Sequence, residues 1–81
     1  MRAIQFTGDN LDAVWRFVQK PLFLHSNAIA VTISYDPFQD RLELGYVMTQ
    51  PLVVKKDEFI VDTGKKGFVA MPAEVYHKVY P

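Results

Sequence analysis

Apolar and polar residues alternate along two neighbouring stretches in the middle of the chain, residues 28–35 and 41–49. The apolar positions are Ile29, Val31, Ile33 and Tyr35 in the first stretch and Leu42, Leu44, Tyr46 and Met48 in the second. A period of two is typical of a strand with one buried face. The linker 36–40 contains Pro37, and Asp36 can accept a hydrogen bond within the turn. The pattern therefore predicts an antiparallel hairpin with a five-residue loop.

A different spacing follows the polar turn at residues 7–10, where Leu11, Val14, Trp15 and Val18 fall on one face of a helix. We expect the side chain of Asp9 or Asn10 to cap the first helical turn. Pro21 should end the helix, because the residue before a proline avoids helical backbone angles.

Shorter apolar runs predict further strands at residues 3–6, 59–61 and 68–70. Because Pro51 precedes them, residues 52–54 are predicted to form at most an edge or bridging strand. Pro72 suits the first position of a short helix over residues 72–77, and residues 79–80 could form a closing strand. The predicted fold is α+β, a single domain over residues 1–81. It has an antiparallel sheet of about five strands, one helix packed across it and a short C-terminal helix.

Composition narrows the possible functions. Nine Lys and Arg balance nine Asp and Glu, so the chain lacks the broad positive field that non-specific nucleic-acid binding uses. It has no cysteine and no apolar run of about 18 residues, so we expect a cytoplasmic protein without a membrane span. Apolar residues make up 49% of this small chain, which favours self-association into a homo-oligomer.

Four lysines in two turns are the candidate anion ligands: Lys55 and Lys56 in one turn, Lys65 and Lys66 in the other. The Gly-Lys-Lys-Gly turn at 64–67 lacks the spacing of a phosphate loop and precedes a strand, so a solvated hairpin is one interpretation and an anion contact another. If the sheet brings both turns to one edge, the four lysines could hold a phosphate between them. Tyr46 or Trp15 could stack on an attached base, although Trp15 also suits the core.

Reactive clusters are missing from the sequence. His25 and His77 are the only histidines, and neither Ser26 nor Ser34 has the spacing of a catalytic serine. No metal-ligand motif occurs, so we predict neither a metal nor a cofactor. The carboxylates of Asp36, Asp40 and Glu43 surround one loop, where turn formation is the alternative to acid–base catalysis. We therefore predict that the protein is not an enzyme.

Two segments, IQFTGDNLDAV near the start and DEFIVDTGKKGFVAMPAEVYHKVY at the end, carry a resemblance to a known family. The matching residues are Thr7, Gly8, Asp9 and Asn10 in the first segment and Asp57, Ile60, Gly64, Pro72, Val75 and Tyr80 in the second. Together they resemble a family of small uncharacterised phage and prophage proteins. This sequence departs from the family at Lys56, where glycine is usual, and at Ala73, which is inserted before Glu74; the middle of the chain matches no known pattern.

The resemblance implies a viral or prophage origin, in which small proteins often act as accessory factors that blunt a host defence. It leads to the hypothesis of a non-enzymatic inhibitor that binds a host protein or sequesters a small phosphorylated nucleotide signal in the host cytoplasm. For the second version, Lys55, Lys56, Lys65 and Lys66 would neutralise phosphates while Tyr46 or Trp15 stacks on the base. The alternative is a virion structural or assembly accessory protein, which the same apolar excess would suit.

Overall fold

The computed structural model describes residues 2–20, 30–46, 49–64 and 66–80. These residues form an α+β fold, which confirms the predicted class. In chain order the elements are β1 (Arg2–Gln5), α1 (Leu11–Val18), β2 (Thr32–Asp36), β3 (Arg41–Gly45), β4 (Leu52–Val54), β5 (Phe59–Asp62), β6 (Phe68–Met71) and α2 (Ala73–Val79). Within these ranges, neither helix is long and apolar enough to cross a membrane.

The described strands form two antiparallel three-stranded sheets, where the sequence predicted one sheet of about five strands. One sheet has the order β1-β5-β6 and the other β2-β3-β4. The predicted hairpin is present with Thr32 opposite Gly45 and Asp36 opposite Arg41, so its loop comprises four residues, 37–40. β4 is an edge strand, as Pro51 predicted, and it lies beside β6, so the two sheets meet along these two strands.

The strands of both sheets run between the same two ends of the molecule. At the first, which we call the turn end, residues 7–10, 37–40 and 55–58 lie together. There the Lys56 backbone N–H donates to Asp40 Oδ1 over 2.8 Å, and the Phe6 N–H donates to the Glu58 carbonyl over 2.9 Å. At the second, which we call the cleft end, Tyr46 and residues 49–52 lie near residues 66–68. β3 and β5 each run from one end to the other.

The core joins both sheets to α1. Its buried members are Phe6, Val14, Val18, Ala30, Leu42, Leu44, Val54 and Ile60. Val14 and Val18 come from the predicted apolar face of α1, and Leu11 and Trp15 from the same face pack against this cluster while half-buried. The spacing that predicted the helix also identified the residues that attach it to the sheets.

Asn10 precedes α1 as predicted, but the expected side-chain cap is wrong. Its Oδ1 accepts a hydrogen bond from the Thr7 N–H at 2.9 Å, and its Nδ2 donates to the Gln5 carbonyl at 2.8 Å. No side-chain cap to the first turn of α1 is formed. Asn10 instead closes the turn that leads from β1 into the helix, because its side-chain amide forms hydrogen bonds with the backbone of residues that precede it.

The predicted start of the first strand of the hairpin is also wrong. β2 begins at Thr32, four residues after the predicted start, and Val31 is 53% exposed while Ala30 is buried. The Ala30 carbonyl accepts a hydrogen bond from Gln19 Nε2 at 2.9 Å, so contact with the end of α1 overrides the alternation there. The predicted positions 28–29 and Met48 lie outside the described residues.

The predicted closing strand at residues 79–80 is absent, since α2 continues to Val79 and Tyr80 follows as its C-cap. Pro72 is the N-cap of α2 instead of its first helical residue. The ring of Tyr76 stacks on Phe59 of β5, with centroids 3.9 Å apart and planes 4° apart. This contact attaches α2 to the sheet.

Candidate functional site

A cleft of about 280 Å³ opens at the cleft end, where the segment before and into β4 faces the start of β6. Its walls come from both sheets. The lining residues are Tyr46, Thr49, Gln50, Pro51, Leu52, Lys66, Gly67 and Phe68. The site therefore depends on the junction between the two sheets, which the sequence did not predict.

Tyr46, one of the lining residues, also carries a buried polar atom. Its hydroxyl is buried and has no hydrogen-bond partner among the described residues. Burial raises the pKa of Tyr46 to about 12, so the hydroxyl keeps its proton at neutral pH and can donate. A buried hydroxyl without a partner costs roughly 1–3 kcal/mol, a cost that a bound acceptor would remove.

Lys66 reaches the same cleft from the turn between β5 and β6, and its side chain is exposed. Gly64 and Gly67 have φ values of 82° and 77°, in the left-handed region that glycine adopts without strain. Hydrogen bonds close this turn: the Thr63 N–H and hydroxyl both donate to the Gly67 carbonyl, at 3.0 and 2.7 Å. The turn therefore holds Lys66 on a defined backbone at the rim of the cleft.

A buried carboxylate anchors the turn to the rest of the fold. Asp62 is fully buried; its Oδ1 accepts from the Gly64 N–H at 3.0 Å, and its Oδ2 lies 3.5 Å from Arg2 Nη1. Arg2 also donates to the carbonyls of Phe17 and Lys20, and its guanidinium lies 4.5 Å from the centre of the Phe17 ring. The start of the 63–67 turn is thus tied to β1 and to the end of α1.

The structure brings together only part of the predicted site. Tyr46 and Lys66 line one cleft, whereas Lys55 and Lys56 lie at the turn end, separated from it by the length of β5. Four strand residues span roughly 13 Å, so the predicted convergence of the two lysine turns is not found within one chain. Lys65 lies outside the described residues.

Trp15 and Lys56 have structural contacts of their own. Trp15 lies on α1 and packs against the hydrophobic core. It is not among the described residues that line the cleft, so its role is core packing, the second of its two interpretations. The aliphatic stem of Lys56 lies across Gly8, where a Cβ on Gly8 would come within 3.4 Å of Lys56 Cδ. Lys56 therefore helps to pack two turns together while remaining exposed.

Phe68 is the main cleft residue that sequence reasoning missed. It was assigned only to a strand, yet its ring lines the cleft and also lies 5.7 Å from the ring of Phe17. Thr49 and Gln50 add exposed polar groups on the opposite wall. One signal was available: Phe68 directly follows the lysine turn, so a strand there places an aromatic ring beside Lys66.

The remaining candidates for catalysis have structural contacts. Asp36 Oδ1 accepts from the Phe38 N–H at 3.0 Å, and Asp40 Oδ1 accepts from the backbone of Lys56, as turn-forming carboxylates do. Among the residues described, no group of three His, Asp or Glu side chains could hold a metal ion. His77 is exposed on α2, while His25 and Ser26 lie outside the described ranges.

Chemically, the cleft is lined by Tyr46, by Lys66 with its exposed ammonium group and by Phe68. This combination can hold an anionic group and a planar apolar group at once. Comparison of the chain with protein-family models, curated proteins and solved structures gives no significant match.

Proposed function

We propose that the protein is a non-enzymatic binding protein that sequesters a small phosphorylated ligand, of the size of a mononucleotide, in the cleft between its two sheets. The observation that carries the proposal is that Tyr46, which follows β3, and Lys66, in the turn between β5 and β6, line one cleft. The Tyr46 hydroxyl is buried and without a partner among the described residues. Lys66 would neutralise the phosphate, Tyr46 would donate to an acceptor, and Phe68 would contact the base.

The size and charge of the cleft favour a small ligand. A volume of about 280 Å³ lies just below the range of most small-molecule sites, about 300 to 1,000 Å³. The chain as a whole is neutral, which argues against a long polyanion as the partner. A single phosphorylated molecule fits both constraints.

The setting of this activity follows from the resemblance to small phage and prophage proteins. We place the protein in the host cytoplasm, where removal of a phosphorylated signal would blunt a host defence. Binding of a host protein is the second version of the same inhibitor role. The exposed aromatic ring of Phe38 at the turn end, 98% accessible, is the observation that favours a protein contact in addition to the cleft.

Calorimetric titration with nucleoside monophosphates, the corresponding nucleosides and inorganic phosphate tests the proposal. We expect at least one monophosphate to bind more tightly than its nucleoside and than phosphate alone. Lys66→Ala should weaken that binding roughly tenfold or more, and Tyr46→Phe roughly fivefold, because a charged hydrogen bond contributes more than a neutral one.

The matched control is the double variant Lys55→Ala, Lys56→Ala, which removes two exposed lysines from the turn end. It should leave the affinity within twofold of the unaltered protein, since both side chains are separated from the cleft by the length of β5. Equal losses in the Lys66 variant and in this control would contradict a site at the cleft. Absence of binding to every probe would contradict the ligand class.

A further inference from the structure

The hairpin of β2 and β3 carries an aromatic ring at one end and the cleft at the other. Phe38, in the loop 37–40, is 98% exposed, more than any other large apolar residue in the described chain. Tyr46 directly follows β3 and lines the cleft. β3 separates the two features by roughly 15 Å, so they lie on opposite ends of the molecule.

The loop that presents Phe38 is held in place by hydrogen bonds. Asp36 Oδ1 accepts from the Phe38 N–H at 3.0 Å, and Asp40 Oδ1 accepts from the Lys56 N–H at 2.8 Å and from the Tyr35 hydroxyl at 3.3 Å. Asp40 has a φ of 51°, a left-handed conformation that aspartate tolerates in turns. A fixed loop presents its ring with little ordering cost on binding.

We infer that Phe38 of one copy inserts into the cleft of a second copy, so that the protein associates head to tail. A cavity of about 150 Å³ already holds a benzene molecule, so a cleft of about 280 Å³ has room for a phenylalanine ring. Pro51, Leu52 and Phe68 offer that ring an apolar wall. Insertion would cover the most exposed apolar side chain among the described residues.

Charge favours the same pairing. Asp36 and Asp40 flank Phe38, whereas Lys66 stands at the rim of the cleft, so insertion brings carboxylates towards an ammonium group. Because the ring and the cleft are different surfaces, the contact is heterologous. Repetition then gives a ring if the rotation between copies closes and a filament if it does not.

The inserted ring and the proposed ligand occupy the same cleft, so ligand binding would dissociate the assembly. Experiments with single variants can nevertheless distinguish the two proposals. Removal of Phe38 abolishes association and leaves the cleft free for the ligand, whereas Tyr46→Phe weakens the ligand contact and leaves room for the ring.

Sedimentation velocity over a range of protein concentrations, with two complementary variants, tests the inference. Phe38→Ser keeps the cleft and loses the ring; Thr49→Trp keeps the ring and fills the cleft from an exposed position. We expect the unaltered chain to form larger species as concentration rises, and each variant alone to associate at least roughly tenfold more weakly. An equimolar mixture of the two variants should form a heterodimer, because one intact ring meets one intact cleft.

Circular dichroism and thermal unfolding provide the folding control, since both substitutions replace exposed side chains. A monomeric unaltered chain at every concentration would overturn the inference. Association of Phe38→Ser equal to that of the unaltered chain would overturn it as well, and so would a mixture of folded variants that remains monomeric.

Discussion

At the scale of single residues, Tyr46 combines an unfavourable environment for its hydroxyl with a place in the lining of the cleft. Its hydroxyl is buried without a partner among the described residues, a cost to the folded state that no contact within the described chain offsets. Groups that are poorly satisfied in the free protein are typical of sites whose ligand completes them. This makes Tyr46 a residue at which stability and affinity should respond in opposite directions.

Tyr46→Phe should raise the free energy of unfolding at neutral pH by about 1 kcal/mol, because it removes the unsatisfied hydroxyl and keeps the ring. The same variant should bind the monophosphate more weakly. Urea unfolding measured beside the calorimetric titration compares the two effects. A loss of stability in Tyr46→Phe would show that the hydroxyl has a stabilising partner in the free protein and would contradict its assignment as a ligand donor.

The pKa of Tyr46 also predicts how stability changes in alkaline solution. The pKa is 10.0 in the unfolded chain and about 12 in the folded one, where burial disfavours the phenolate. Below pH 10.0 both states hold the proton, and between these two values only the folded state holds it. Stability should therefore decrease as pH rises through this window. Urea unfolding across the window should show a shallower decrease for Tyr46→Phe; identical slopes would contradict the shifted pKa.

At the scale of elements, one close approach in the central hairpin sets a steric requirement. Gly45 of β3 faces Thr32 of β2, and a Cβ at Gly45 would overlap the Thr32 hydroxyl. Gly45→Ala should therefore destabilise the protein by roughly 1–2 kcal/mol. In a Thr32→Ala background the cost should fall to a few tenths of a kcal/mol, because the overlapping oxygen is gone.

A double-mutant cycle in urea measures this coupling. Equal costs of Gly45→Ala in both backgrounds would show that the hairpin adjusts its backbone to accommodate the methyl group. Thr32→Ala alone is the control, and we expect a change within about 0.5 kcal/mol because Thr32 is exposed on β2.

Local pattern predicted most of these elements, because each depends on residues close together in the sequence. The turn into α1, the hairpin between β2 and β3, the edge position of β4 and the hairpin between β5 and β6 all follow from apolar spacing and from Gly or Pro. The division of the strands into two sheets could not be predicted from this local pattern. It depends on which strands pair over long separations, as when Arg2 of β1 lies opposite Asp62 of β5.

For the candidate site, too, the sequence predicts the residue types but not how the fold brings them together. Tyr46 and Lys66 were recognised by residue type, yet their meeting in one cleft depends on the contact between β4 and β6. Trp15 was an ambiguous residue because the same helical face that could present an aromatic ring also packs the core. The position of Phe68 after the lysine turn places it near Lys66, but the sequence does not predict which residues of the other sheet complete the cleft around it.

At the scale of the whole molecule, the proposed function rests on two ends with different chemistry. The cleft end holds Tyr46 and Lys66, and the turn end holds Phe38, Lys55 and Lys56. The central claim is that a small phosphorylated ligand binds at the cleft end. We expect Lys55 and Lys56 at the turn end to have no role in that binding, although they match Lys66 in charge and exposure.

Amide chemical-shift mapping by NMR during titration with the tightest-binding nucleoside monophosphate tests this claim most directly. The Phe38→Ser variant should be used, so that association does not broaden the spectrum. We expect saturable shifts at residues 49, 50, 52 and 66–68 and unchanged positions at residues 55–58. Shifts concentrated at residues 55–58, with the cleft residues unaffected, would contradict it.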